Sequence, residues 1–241
     1  MKDKFKFIQI GVTSCYLLDC NNGYMLIDVG YPNDYEKFVQ KLNNKYNIEI
    51  SELKYLLLTH HHDDHVGFAK KLIEKSPIKL IIHENAIKQL KLGFSEEEGK
   101  PINRRMKYIL KIFFRFHEFK FPSILPSNDD IILKGSEDNN KILRYIGIDG
   151  TIIFTPGHTK DGISVILSDG SVFPGDNAMN AWFFNIFGIK KRPIYLQNFN
   201  LVLDSWQRYI DMGGKKIYPA HGRPFDIKYL VKNLRKFRRN S

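Results

Sequence analysis

Cysteine is scarce in this chain of 241 residues, which holds only Cys15 and Cys20. A fold stapled by disulfides is excluded by that scarcity, and so is a thiolate-rich metal site. If Ser14 to Cys20 is a strand, the two thiols lie about 16 Å apart on opposite faces, beyond bridging distance. Both therefore read as reduced, buried thiols of a cytoplasmic protein. No apolar run approaches the roughly 18 residues that a membrane helix requires. The start, Met1-Lys2-Asp3-Lys4-Phe5-Lys6, is basic but no long apolar stretch follows it, so a signal peptide is not expected. No linker rich in Pro, Gly or Ser divides the chain, which predicts one domain over 1–241 with ample apolar content for a core. No G-x-S-x-G motif marks a serine nucleophile.

Acidic residues are outnumbered: 37 Lys and Arg against 26 Asp and Glu give a formal charge of +11. Such a balance is compatible with nucleic acid or anionic lipid, yet no groove or motif supports either partner, and a solvated lysine-rich surface explains it as well. The cations gather in two places. Lys100, Arg104, Arg105, Lys107, Lys111, Arg115 and Lys120 face a single acid, Glu118, and the tail from Lys228 to Arg239 carries six cations and no acid.

Short apolar segments alternate with helical ones. Phe5–Ile10, Cys15–Leu18 and Tyr24–Asp28 read as strands, with Asn21-Asn22-Gly23 as a hairpin turn. Tyr35–Tyr46 has helical periodicity after Pro32-Asn33-Asp34. Lys54–Leu58 is a strand, Val66–Lys75 a helix, Ile78–Ile82 a strand and Glu84–Leu92 a helix. In the second half Ile131–Leu133, Leu143–Ile148, Ile152–Phe154, Ile163–Leu167 and Val172–Phe173 read as strands. A helix over Asn200–Met212, a strand at Lys216–Tyr218 and a basic helix from Asp226 follow. Runs of strands with helices outside predict two packed sheets between helical layers, a four-layer αββα sandwich of the α/β class. The segment 93–127 fits least. Its aromatic and cationic residues interleave over Met106–Phe116, before Pro122 and Pro126. An insertion acting as a lid over a site is one reading; an ordinary core-packed amphipathic helix and a membrane-surface patch are the others.

What the chain does have is a dense run of metal-binding side chains, Thr59-His60-His61-His62-Asp63-Asp64-His65-Val66-Gly67, directly after the apolar Tyr55–Leu58. Imidazole and carboxylate are the donors that divalent transition metals take. On an extended chain His60 and His62 project to one side and His61 to the other. Asp64 and His65 follow as the chain turns into a helix. The arrangement predicts His60 and His62 on one cation, Asp64 and His65 on a second. Three later segments end strands in a tight turn carrying one more donor each: Thr155-Pro156-Gly157-His158, Phe173-Pro174-Gly175-Asp176 and Tyr218-Pro219-Ala220-His221. His158 would complete the first site, His221 the second, and Asp176 could bridge the two. Asp28, ending its strand before Gly30, is a candidate acceptor behind a ligand imidazole. His61, His83 and His117 are expected to be structural or on the surface.

These motifs, Asp28, His60-x-His62-x-Asp64-His65, His158, Asp176 and His221 in order, resemble the metallo-β-lactamase superfamily across residues 24 to 222. The resemblance implies an αββα sandwich with a dimetal site at one edge of the sheets. It implies a hydrolase in which two divalent ions, zinc first, with manganese or iron also compatible, share a bridging hydroxide. Asp64 would orient that hydroxide besides ligating. Asp176, where zinc β-lactamases of this fold have cysteine or lack the bridging carboxylate, points away from antibiotics. It points toward the glyoxalase II and lactonase branch, and so to a small ester, thioester or lactone. The glutathione-binding extension of glyoxalase II looks too short here. A phosphodiesterase on nucleic acid or phospholipid, a mononuclear-iron enzyme resembling persulfide dioxygenases, and a non-catalytic binding module remain alternatives.

Overall fold

The first hairpin sets the pattern of the fold. β1 (Phe5–Ile10) and β2 (Thr13–Cys20) pair antiparallel, and β2 pairs in turn with β3 (Gly23–Ile27). Alternation along β2 sends Tyr16 and Leu18 to one face and Cys15 and Leu17 to the other, and all four are buried. A strand buried on both faces needs a layer above it and a layer below it. The computed structural model supplies both, and describes residues 5–95, 98–181 and 188–239, without the side chains of residues 113 and 114. The basic residues 1–4, positions 96–97 of the insertion, and the side chains of Phe113 and Phe114 thus lie outside the described residues.

The sheet continues in parallel through β4 (Leu53–Leu57), β5 (Lys79–His83) and β7 (Ile131–Leu133), giving the order β1-β2-β3-β4-β5-β7. β6 (Lys100–Pro101) lies apart, in a two-stranded ribbon with β11 (Tyr195–Leu196). The second sheet contains β8 (Gly150–Phe154), β9 (Ile163–Leu167), β10 (Ser171–Phe173), β12 (Lys216–Ile217) and β13 (Phe225–Asp226), ordered β13-β12-β10-β9-β8. Helices α1 (Tyr35–Tyr46), α2 (Asp63–Val66), α3 (Ala69–Lys75), α4 (Ile87–Leu92), α5 (Arg104–Phe116), α6 (Lys141–Tyr145), α7 (Phe199–Asp211) and α8 (Lys228–Arg238) complete the described helices.

Three apolar clusters define four layers. Cys15, Leu17 and Leu26 of the first sheet pack against Phe38 and Leu42 of α1, Leu72 of α3 and Leu90 of α4. Tyr16, Leu18, Met25, Ile27, Leu57 and Ile81 face Ile152, Ile163, Val165 and Phe173 between the sheets. Ile153, Ile166 and Val172 meet Trp206 and Tyr209 of α7 and Leu230 and Leu234 of α8. The order is helix, sheet, sheet, helix, as the alternating sequence pattern predicts. Among the described residues no helix is long and apolar enough to cross a membrane.

Several local expectations need correction. Leu143–Ile148 is not a strand: α6 covers Lys141–Tyr145, opened by Asn139 Oδ1 accepting from Ile142 N at 3.0 Å. Its apolar residues Ile142, Leu143 and Ile146 fall at helical spacing, and all three pack into the inter-sheet cluster. The helix expected over Val66–Lys75 starts earlier and breaks at Gly67-Phe68, dividing into α2 and α3. The first turn of the segment expected to be helical from Glu84 is a 3-10 turn before α4. Both cysteines are free, but Cys20, beside the 21–22 turn, is half-buried rather than buried.

Candidate metal centre

The carboxyl ends of β4, β8, β10 and β12 open onto one edge of the sandwich, because β10 pairs parallel with β12 while both β8 and β10 run antiparallel to β9. Each of the four strands ends in a turn bearing a donor. Ile163 N donates to Thr59 O at 2.9 Å and Ser14 N to Ala220 O at 2.7 Å, so the two sheets are joined where these turns meet. Glycine permits two of the close approaches. Gly175, at φ +53°, would place a Cβ 2.5 Å from Thr59 Oγ1, and at Gly157, φ +138°, a Cβ would lie 2.5 Å from Val202 N.

The seven predicted donors converge in three overlapping groups: His60, His62 and His158; His60, His65 and Asp176; Asp64, His65 and His221. Within each group the donor atoms lie within 4.8 Å of one another. His62 Nδ1 faces His60 Nε2 at 3.1 Å and His158 Nε2 at 3.0 Å. On the other side His221 Nε2 is 3.1 Å from Asp64 Oδ2. Asp176 stands between the groups. Its Oδ1 is 3.3 Å from both His65 Nε2 and His221 Nε2, and its Oδ2 is 3.6 Å from His158 Nε2.

Behind the donors, four of the five imidazoles are fixed by their other nitrogen. His65 Nδ1 donates to Asp28 Oδ2 at 2.9 Å, His158 Nδ1 to Tyr195 O at 2.8 Å and His221 Nδ1 to Val12 O at 2.9 Å. Thr59 Oγ1 donates to Asp28 Oδ2 at 2.7 Å and so has only lone pairs left for His60 Nδ1, 3.1 Å away. In all four rings Nδ1 is the nitrogen engaged behind the site, which leaves Nε2 as the atom aimed at the centre, the one a metal would take. Asp28 adopts φ +57° and also accepts from Thr59 N at 2.7 Å. The tip of the β1–β2 hairpin joins in further, with Thr13 Oγ1 donating to Asp64 O at 3.0 Å and Tyr16 Oη to Pro219 O at 2.8 Å.

Electrostatics divide the cluster. Burial, and then the neighbouring imidazoles, hold His60 and His62 well below the ordinary histidine range, and burial lowers His158. Burial also opposes charge on His65 and His221, but the surrounding carboxylates outweigh it. His65 is held well above its ordinary value by Asp176, Asp28 and Asp64, and His221 is raised to about 10, chiefly by Asp176. Burial would raise Asp176, yet His221 and His65 hold it well below the usual carboxylate range. A cation is the group these donors fit. His65 Nε2 and Asp176 Oδ1 are buried and approach each other, yet neither has a hydrogen-bond partner. Orphaned polar atoms of that kind are rare unless an ion or water satisfies them.

The remaining histidines have structural partners. His61 Nδ1 donates to Asp161 Oδ1 at 2.9 Å, both side chains almost fully buried. His83 Nε2 donates to Gly135 O at 2.9 Å, and its ring stacks on Phe154. His117 Nε2 lies 2.5 Å from Asp63 Oδ2, while Asp63 N donates to Ser95 Oγ at 2.9 Å. Residues on both sides of α5 are thereby attached to the histidine turn. Asp63, Ser95, Thr59, Asp161 and the carbonyls of Val12 and Tyr195 are the site-supporting groups that sequence reasoning missed. The hydroxyl of Thr59 beside His60 was the one visible hint; a backbone carbonyl leaves none.

Comparison with known proteins agrees with this architecture. A curated relative from Sulfurisphaera tokodaii, the metallo-beta-lactamase fold-containing protein ST1585, is 24% identical over 224 residues, covering 93% of this chain and 78% of its own. Its crystal structure superposes with a TM-score of 0.63 at 20% identity, over 96% of this chain and 85% of that one. A metallo-beta-lactamase from Cronobacter sakazakii with a HARLDQ motif gives a TM-score of 0.66 at 17% identity, over 98% and 89%. The beta-lactamase-like protein 2 homolog of Drosophila melanogaster is 23% identical over 213 residues, 87% of this chain, which spans only 58% of that relative's length. The family model described as the metallo-beta-lactamase superfamily matches residues 9–221, a span that includes every donor named above. The chain belongs to the metallo-beta-lactamase superfamily.

Proposed function

We propose that this metallo-hydrolase binds two divalent cations and hydrolyses a small ester, thioester or lactone, in the manner of the glyoxalase II and lactonase branch. His60, His62 and His158 would hold one cation; Asp64, His65 and His221 the other; Asp176 would be shared. The observation that carries this reading is the stance of Asp176, whose two oxygens face different donor groups. A donor set of nitrogen and oxygen suits zinc first, and manganese or iron also. Two such cations would bring the pKa of water toward neutrality and polarise the oxygen of a scissile carbonyl. The chain's own part is positional. Asp28 and Thr59 fix the rings of His65 and His60, and Asp64, the least buried of the donor carboxylates, would accept a hydrogen bond from the attacking water and orient it. A carboxylate at position 176 argues for esters, thioesters or lactones over β-lactam antibiotics.

The insertion at 93–127 would border the substrate entrance within a single domain. Ser95 and His117 attach it to Asp63 in the histidine turn, and it packs on the segment whose Tyr195 carbonyl orients His158. Two free cysteines suit a reducing compartment, so a cytoplasmic location is part of the same reading.

Elemental analysis of protein from its native host, followed by a panel of esters, thioesters, lactones and phosphodiesters, tests the assignment. About two cations per chain with turnover of an acyl substrate is the expected result. Turnover confined to phosphodiesters, one iron per chain with oxygen uptake, or a metal-loaded protein inert toward the whole panel would overturn it.

A further inference from the structure

Helix α5 presents more apolar surface than the described residues cover. Met106 and Leu110 are buried against Ile189, with Ile102, Ile109, Ile194 and Tyr195 packed around them. That accounts for one side of the helix. Tyr108, Ile112 and Phe116 fall four residues apart and so form a separate stripe. They are 59%, 67% and 81% exposed. The solvent side of a helix packed on a core is ordinarily polar, and isolated apolar residues on a surface are common, but a stripe over more than two turns is not.

The charge around the stripe is of one sign. Arg104, Arg105, Lys107, Lys111 and Arg115 are all exposed on the same helix, and no acid occurs between Gly99 and His117. At roughly 100° per residue, Lys107, Lys111, Arg104 and Arg115 line one flank of the stripe and Arg105 sits within it. At the root of the insertion Leu92 and Leu125 are 63% and 74% exposed. They ride on segments joined by Phe121 N donating to Gly93 O at 3.0 Å and Ile124 N to Leu90 O at 2.8 Å.

We propose that the outer face of α5 docks this protein onto an anionic phospholipid surface. A stripe of aromatic and aliphatic side chains flanked by cations suits the membrane interface: the apolar groups enter the boundary between headgroups and acyl chains, and the cations meet anionic headgroups. A second copy of the chain fits worse, because a two-fold contact would oppose one cationic flank to another. Nucleic acid would satisfy the cations but leave Ile112 without a partner of its own chemistry.

The test uses the full metal-loaded chain in flotation with vesicles of phosphatidylcholine alone or mixed with phosphatidylserine. Binding to the mixed vesicles is expected, weaker by about tenfold or more on phosphatidylcholine alone, and weakened by added salt. The variant Tyr108→Ser/Ile112→Ser/Phe116→Ser should bind at least about tenfold more weakly, with an unchanged melting curve. Lys107→Glu/Lys111→Glu, which keeps the stripe, should lose the preference for phosphatidylserine. Three results would overturn the proposal: no flotation with mixed vesicles, equal flotation by wild type and both variants, or gel filtration showing a dimer that Ile112→Ser dissociates.

Discussion

The two sheets bring the same donor chemistry to the centre in opposite ways. The first sheet delivers His60, His62, Asp64 and His65 from the end of one strand, and it supports them with side chains of its own, Thr59 and Asp28. From the second come single donors, His158, Asp176 and His221, each on a different turn. Two of these lean on backbone carbonyls of distant segments, Tyr195 and Val12. A contiguous set fixes its geometry locally and can be retuned by changing one supporting side chain. A dispersed set is only as accurate as the packing of the sheet that carries it, and no single side chain controls it.

That contrast can be broken most severely at Asp176, the residue proposed to serve both sets. Asp176→Ala should lower the metal content per chain, and lower metal affinity and turnover by more than the roughly 100-fold that losing an outer supporting group costs. A variant retaining two cations per chain in elemental analysis would mean that the carboxylate is not shared. Asp28→Asn attacks the first set alone and is expected to weaken metal affinity about 10- to 100-fold in competition with a chromophoric chelator. Removing the cations with a strong chelator should lower the melting temperature by about 5–10 °C, since saturating ligand adds about 2.7 kcal/mol at a hundred times its dissociation constant. Asp161→Asn leaves every donor in place but removes the charged partner of buried His61. A loss of about 1–3 kcal/mol in denaturant unfolding is expected. The smallest effect sharpens the comparison furthest: Val12→Ala keeps the carbonyl that holds His221, so metal affinity should stay within about twofold. A large loss there would show that the hairpin side chain, and not its backbone, orients the ring.

The same division governs how much could be read from sequence. The alternating burial of β2 and the helical spacing of α1 follow directly from side-chain period, and the Pro and Gly residues before His158 and Asp176 mark turns at strand ends. Lys141–Ile146 misleads because a short apolar run with both Ile and Leu suits strand or helix equally, and Asn139 at its start decides for helix. β6, β11 and β13 are two residues each, too short to carry any period. The donors themselves are legible because only a few residue types can serve. The groups behind them are less so: Val12 and Tyr195 contribute oxygens that every residue possesses, and Asp63 finds His117 only because the chain returns from the insertion to the histidine turn.

The hairpin tip has a consequence for biosynthesis. Val12 and His221, in contact through one hydrogen bond, are separated by 209 positions. As the nascent polypeptide leaves the ribosome, the contiguous donors emerge long before His221 can reach Val12. If the proposed donors hold cations, an early ion would find part of its shell, but full occupancy would wait for this long-range closure, the kind of contact that makes folding slow.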